Sequence, residues 1–308
     1  MVPLGCQLDL DKSMGIEYLA GFKPGDIIDL SRFEKKPSRF ESSFKTRNEK
    51  DREKTFSPED YVDILRKDLQ EMAKEVNDYF PGFLDEDGKI SLAGRDAEKD
   101  ASLVAIQEDA FSRDFHGNKP EDMETWRRQQ EAKDPNLTEM SLTLLLNKFL
   151  KKDFIVARAS SYDDYNNGID NVLIDKTSGE VLCGFDEVMV KKGESTSSKK
   201  EGKLSRLMAK GGAYLKYGAR LENGRLVRST VKNLPAFYIS LDKQELLDLM
   251  EVLKNPQASQ GVEEKIFQKL ITSLEGQLAN RNLGNGLRQK ASSVLEKLRS
   301  FQKPVSVI

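Results

Sequence analysis

Apolar residues change their spacing twice along this chain. In the first third they recur as helical stripes. Val62, Leu65, Leu69, Met72, Val76 and Tyr79 fall every third or fourth position, which marks one face of a helix. Ser57 offers a cap, Pro58 suits the first helical position, and Glu59 and Asp60 suit the positive end. Pro81-Gly82 stops the helix. Leu103, Val104, Ile106, Phe111 and Phe115 predict a second helix over 97–115. A polar helix around Trp126 is expected to break at Asp134-Pro135-Asn136. The sequence LTEMSLTLLLNKFL (137–150) is apolar on almost every side and reads as a buried helix.

Beyond 150 the runs shorten and turn residues separate them. FIVARAS (154–160), GIDNVLI (168–174) and EVLCGFDEVMV (180–190) read as strands, with DKTSG as a turn. YDDYNNG (162–168) reads as an Asp- and Asn-rich loop. A basic helix follows over 204–210. A hairpin over 213–231 turns at Glu222-Asn223-Gly224, and AFYISL (236–241) is a last strand. Helical periodicity then returns. Asp242 and Glu245 form a capping pair for a helix over 242–254. Ile266, Phe267, Leu270, Ile271, Leu274 and Leu278 predict a second helix; Ala291, Val294, Leu295, Leu298 and Phe301 predict a third.

The expected fold is therefore α+β. A small mixed sheet with αβββαβ order occupies 137–241, preceded by N-terminal helices over 57–136 and followed by a C-terminal helical bundle over 242–308. Residues 1–56 have little apolar periodicity, and 34–54 are dense in both charge signs. They read as a flexible extension that Phe33, Phe40 and Phe44 would tether.

Composition narrows the chemistry. The chain has 308 residues, 38% hydrophobic and 32% charged, with a net charge of −2. No apolar run reaches the ~18 residues of a membrane helix, so no membrane partner is expected. The first residues lack the basic start and apolar run of a secretory signal, and a cytoplasmic location is the default expectation. Cys6 and Cys183 make neither a disulfide framework nor a structural zinc site. His116 is the single histidine, in a loop-like context, so a metal would rest on oxygen ligands: magnesium, manganese or calcium. FLDEDGKISLAG (83–94) puts Asp85, Asp87 and Gly88 in calcium-loop positions. It has Phe83 first and Gly94 twelfth, where oxygen ligands belong, and reads as a plain turn. Neither a Walker A loop nor GxGxxG is present.

Carboxylates recur at particular places in the central order. Glu139 lies in the first turn of the leading helix, Asp170 opens the second strand, and Asp186-Glu187 sits in the third. Gly168-Ile169-Asp170 before Val172-Leu173-Ile174, and Asp186 after VLCGF (181–185), resemble the PD-(D/E)xK, restriction-endonuclease-like superfamily. The stretch is also similar to segments of uncharacterised bacterial proteins, which name no activity. The nuclease-like resemblance spans 138–241 and implies a mixed sheet on which Asp170 and Asp186 bind magnesium. Glu139 or Glu187 would be the supporting acid, in a nuclease or a nucleic-acid-binding relative that has lost activity. Such chemistry needs hard oxygen ligands and a metal that polarises phosphate and activates water. The family's lysine position is Val188 here, or Met189 if Glu187 is the acid; Lys203 from the next helix is an alternative source of the amine. Asp163 and Asp164 are either loop-capping groups or further ligands.

Charge adds a partner. Between 191 and 233 twelve Lys and Arg face three Glu, within a chain of net −2. Lys199, Lys200, Lys203, Arg206 and Lys210 are the expected phosphate-backbone contacts, with Tyr214 and Tyr217 available to stack on bases. The alternative is a non-catalytic protein whose helices bind a protein partner, with the carboxylates as surface or capping groups.

Overall fold

A computed structural model describes residues 58–116, 123–190, 196–255, 261–280 and 283–301. The proposed extension 1–56 lies outside them. So do Lys191 and Lys192, and the side chains of His116, Lys199, Lys200 and Lys203.

The helical stripe that begins the chain forms α1 (Pro58–Asn77), followed by α2 (Ala97–His116), α3 (Met123–Glu131) and α4 (Asp134–Leu150). Asp134-Pro135-Asn136 begins α4 instead of breaking the preceding helix. Pro135 sits where its missing N–H would have had no intrahelical partner. Glu139 consequently lies in the second turn of α4, not the first. Nearly every side chain of α4 from Leu137 to Asn147 is buried, as its all-round apolarity predicts.

Strand β1 (Phe154–Arg158) leads into α5 (Ser161–Asn167), then β2 (Asn171–Asp175) and β3 (Val181–Val190). The stretch read as a loop over 162–168 is thus a short helix. Ser160 caps it by accepting the Asp163 N–H at 3.0 Å, and Gly168 closes it in the left-handed region. That closure delays the second strand to Asn171, so Asp170 stands just ahead of it. After α6 (Thr196–Ala209) come β4 (Ala213–Glu222), β5 (Arg225–Leu234) and β6 (Ala236–Asp242). Helix α6 starts well before the 204 expected from its apolar residues. The C-terminal helices are α7 (Lys243–Lys254), α8 (Val262–Asn280) and α9 (Asn285–Arg299). The Asp242–Glu245 capping box opens α7.

The main sheet runs β1-β2-β3-β6, with β1–β2 and β2–β3 antiparallel and β3–β6 parallel. The order α4, β1, β2, β3, α6, β6 follows the expected αβββαβ pattern with two insertions, helix α5 between β1 and β2 and the β4–β5 hairpin before the last strand. Side chains alternate across this sheet as the period of two requires. Phe154, Val156, Leu173, Phe185, Phe237 and Ile239 face one core with residues of α1, α4, α7, α8 and α9. Apolar groups of the N-terminal, central and C-terminal segments therefore share one cluster. Ile155, Ala157, Val172 and Ile174 face a second core with Leu204 and Met208 of α6 and Leu215 and Tyr217 of β4.

Each edge strand of the sheet is met at one residue. On β1, Ile90 N–H donates to Arg158 O at 2.9 Å, and Arg158 N–H donates to Gly88 O at 3.0 Å. On β6, the Gln277 side chain accepts from Tyr238 N–H at 3.0 Å and donates to Tyr238 O at 2.7 Å.

Candidate functional site

The site lies where the start of β2 meets β3. Asp170 N–H donates to Phe185 O at 2.8 Å, which fixes the backbone beside the third strand. The Asp170 carboxylate then accepts the Glu187 N–H at 2.7 Å. The two carboxyl groups therefore lie beside one another, and each raises the cost of ionising the cluster.

Strand alternation separates the acidic pair that closes the hairpin. Glu187 shares a face with Phe185 and points toward α4, while Asp186 belongs to the opposite set. Glu187 Oε1 accepts from Asn171 Nδ2 at 2.8 Å, and Asn171 Oδ1 lies 2.8 Å from the Thr143 hydroxyl of α4. One turn earlier on α4, Glu139 Oε1 receives Arg158 Nε at 2.8 Å and a second guanidinium nitrogen at 2.7 Å. Glu139, Asn171 and Glu187 therefore lie on the α4 side of the sheet, and the Asp170 carboxylate reaches the Glu187 backbone at its end. Asp186, 5% exposed, acts on Asp170 and Glu187 through its charge.

Electrostatics follow from burying so many acids together. Burial, then the charges of Glu187, Glu139, Asp164 and Asp186, holds the Asp170 carboxyl well above the usual carboxylate range. Burial and Glu139 push Glu187 up to about 8 despite its hydrogen bonds to Asn171 and Asp170. Asp164 is raised by burial, with Lys89 opposing.

Two cations answer this cluster, and reasoning from sequence assigned neither. Arg158 ends β1 and is 7% exposed; its third guanidinium nitrogen donates to Asp87 O at 3.3 Å. Lys89 comes from the turn within 83–94. Asp85 Oδ1 accepts the N–H groups of Asp87 at 3.0 Å and Lys89 at 2.8 Å, and Gly88 adopts φ 71°, where L side chains are strained. This plain turn delivers Lys89 against Arg158, and its amine donates to Asp164 Oδ2 at 3.2 Å. Burial and Arg158 push the Lys89 amine down, but Asp164 and Glu139 outweigh them and hold it above its usual range. The signal available in sequence was Asp85 followed by Gly88, an Asx-type turn that aims the next residue.

The other expected residues are placed as follows. Asp163 is fully buried and serves structure: it accepts from Asn167 Nδ2 at 2.7 Å, Lys216 N–H at 2.8 Å and Tyr217 N–H at 3.0 Å. Tyr217 does not offer its ring to a base. It is 4% exposed and its hydroxyl donates to Asp100 at 2.6 Å. Tyr214 stays 40% exposed, and Arg206 and Lys210 are exposed on and just beyond α6. Among the described residues no three His, Cys, Asp or Glu side chains form a set that would enclose a metal ion, and no helix is long and apolar enough to cross a membrane.

The chain matches no family model, no curated protein and no solved structure.

Proposed function

We propose that this chain is a magnesium-dependent, nuclease-like protein that acts on nucleic acid. The observation that carries this reading is the Asp170–Glu187 carboxyl pair at the β2–β3 seam, with Glu139 beside it, on a sheet of αβββαβ order. Magnesium keeps several waters and takes one or two carboxylates, not a closed protein cage. A two-carboxylate donor set suits it, and the absence of a three-group cage among the described residues is compatible with that mode. Asp170 and Glu187 would hold the ion, with Asp186 and Glu139 adding negative charge. When bound, the ion supplies Lewis-acid polarisation of a phosphate and a more acidic water. Arg158 keeps Glu139 in place, and Asn171, held from α4 by Thr143, orients Glu187. Arg206 and Lys210 support a nucleic-acid partner.

The test is calorimetric titration of magnesium into the wild type, Asp170→Asn and Glu187→Gln, with cleavage of labelled DNA and RNA followed alongside. Magnesium binding and cleavage lost in both variants are expected. A wild type that binds no magnesium and cuts neither polymer overturns the reading.

A second reading, a non-catalytic protein-binding protein, draws on α2, which leaves Leu103, Ile106 and Phe111 38%, 64% and 47% exposed. It predicts that Ile106→Asp, and not Asp170→Asn, abolishes partner binding.

A further inference from the structure

Lys89 stands apart from the other charged groups of the site. Arg158 is spent: two of its nitrogens bind Glu139 and the third binds Asp87 O. Lys89 spends one hydrogen bond, to Asp164 Oδ2 at 3.2 Å. An ammonium has three donors. Its side chain is 19% exposed and that of Asp164 26%, so the pair reaches solvent while its charges act on Glu139 and Asp170. Its backbone is fixed on both sides, by Asp85 and by the bridge to Arg158. Asp164 sits in the first turn of α5, next to Asp163, whose four hydrogen-bonding neighbours lock that helix to β4.

We propose that Lys89 is the positioning residue that receives an anionic phosphate oxygen of the substrate, and that Asp164 holds its amine in that place until the phosphate arrives. The idea rests on the proposed function for the nature of the substrate but not for the site itself. A carboxylate oxygen and a phosphate oxygen are alike to an ammonium: each is a hard, anionic acceptor. Asp164 thus competes with phosphate for the amine. Removing its charge while keeping its shape frees the amine and removes a like charge from an incoming anion. The tight turn keeps the lysine on station without Asp164.

The experiment compares the wild type with Asp164→Asn, Lys89→Met and the double variant. The double variant removes the pair as a unit and leaves no buried charge alone. Inorganic phosphate is the first probe, titrated calorimetrically. Asp164→Asn is expected to bind it on the order of tenfold more tightly, a difference of one modest ion pair. Lys89→Met and the double variant are expected to bind it more weakly than the wild type. Unchanged affinity in Asp164→Asn, or full affinity in Lys89→Met, overturns the proposal. A short labelled DNA duplex and its RNA counterpart, in calcium to block turnover, are the second probe. The same ranking there identifies the phosphate as that of a nucleic acid. The ranking with inorganic phosphate alone leaves the Lys89 site standing and counts against the nuclease reading.

Discussion

Replacing Glu187 by Gln removes one ionisable group from the site and keeps its outline. The amide oxygen still accepts from Asn171. In the wild type the unfolded carboxyl titrates near its ordinary 4.5 and the folded one at about 8, with burial as the leading cause. The folded state therefore binds more protons than the unfolded state between those values. Stability must fall as pH rises through that window. At about 1.4 kcal/mol per pH unit, the full loss is on the order of 5 kcal/mol above pH 8, of which about 3 kcal/mol is present at pH 7. Glu187→Gln is not subject to this loss. Urea unfolding, followed by far-ultraviolet circular dichroism at pH 4.5, 7 and 8.5, reads the difference directly. The two proteins should have similar midpoints at pH 4.5, and the variant should be several kcal/mol more stable at pH 8.5. A variant less stable than wild type at pH 8.5, or a gap that does not change with pH, would show that Glu187 is already ionised in the fold. The account of Glu187 as a carboxyl kept protonated by burial would then be wrong.

Three other changes probe the scaffold. Arg158→Met leaves Glu139 buried without its guanidinium, and should cost about 3–5 kcal/mol in urea unfolding, most of it recovered by adding Glu139→Gln. Gly184→Ala would put a Cβ 2.8 Å from Ile169 Cγ2; a loss of about 1–3 kcal/mol is expected, partly relieved by Ile169→Val. Asp163→Ala strips acceptors from the N–H groups of Lys216 and Tyr217, and hydrogen exchange should speed up selectively at those two amides, with stability down by about 2–3 kcal/mol.

Most of the fold was legible because burial imposes a period. The 3.6 spacing of Val62 to Met72 arises from one face meeting a core, and the unbroken apolar run of Phe154 to Ala157 from a strand buried on both faces. The Asp242–Glu245 pair was readable because a capping box is local chemistry. The misreadings also have local causes. Pro135 reads equally as a stop or as a first helical residue, and only the packing of α4 decides. Polar α5 carries no stripe, since its anchor is one buried carboxylate bonded to a strand more than fifty residues away. Asp170 and Glu187 were visible as candidates, but which member of Asp186-Glu187 faces α4 depends on register, which spacing alone does not fix. Lys89 lies more than eighty residues from Asp170 in sequence and reaches the site only because the turn over 83–94 lies along the edge of β1.

The covered edges of the sheet bear on how this chain keeps company with itself. An open strand edge is a template on which another chain can crystallise its own backbone, and aggregation of β-rich proteins begins there. Here the end of β1 is bridged at Arg158 by the very turn that carries Lys89, while on β6 the backbone of Tyr238 is met by the side-chain amide of Gln277. The two closures are unequal in kind. The first is a backbone pairing that substitution cannot erase. The second is a side-chain contact from α8, and Gln277→Ala would remove both of its hydrogen bonds to the Tyr238 backbone. The weak point for self-association is therefore the β6 edge, one strand over from β3 and directly beside Asp186 and Glu187.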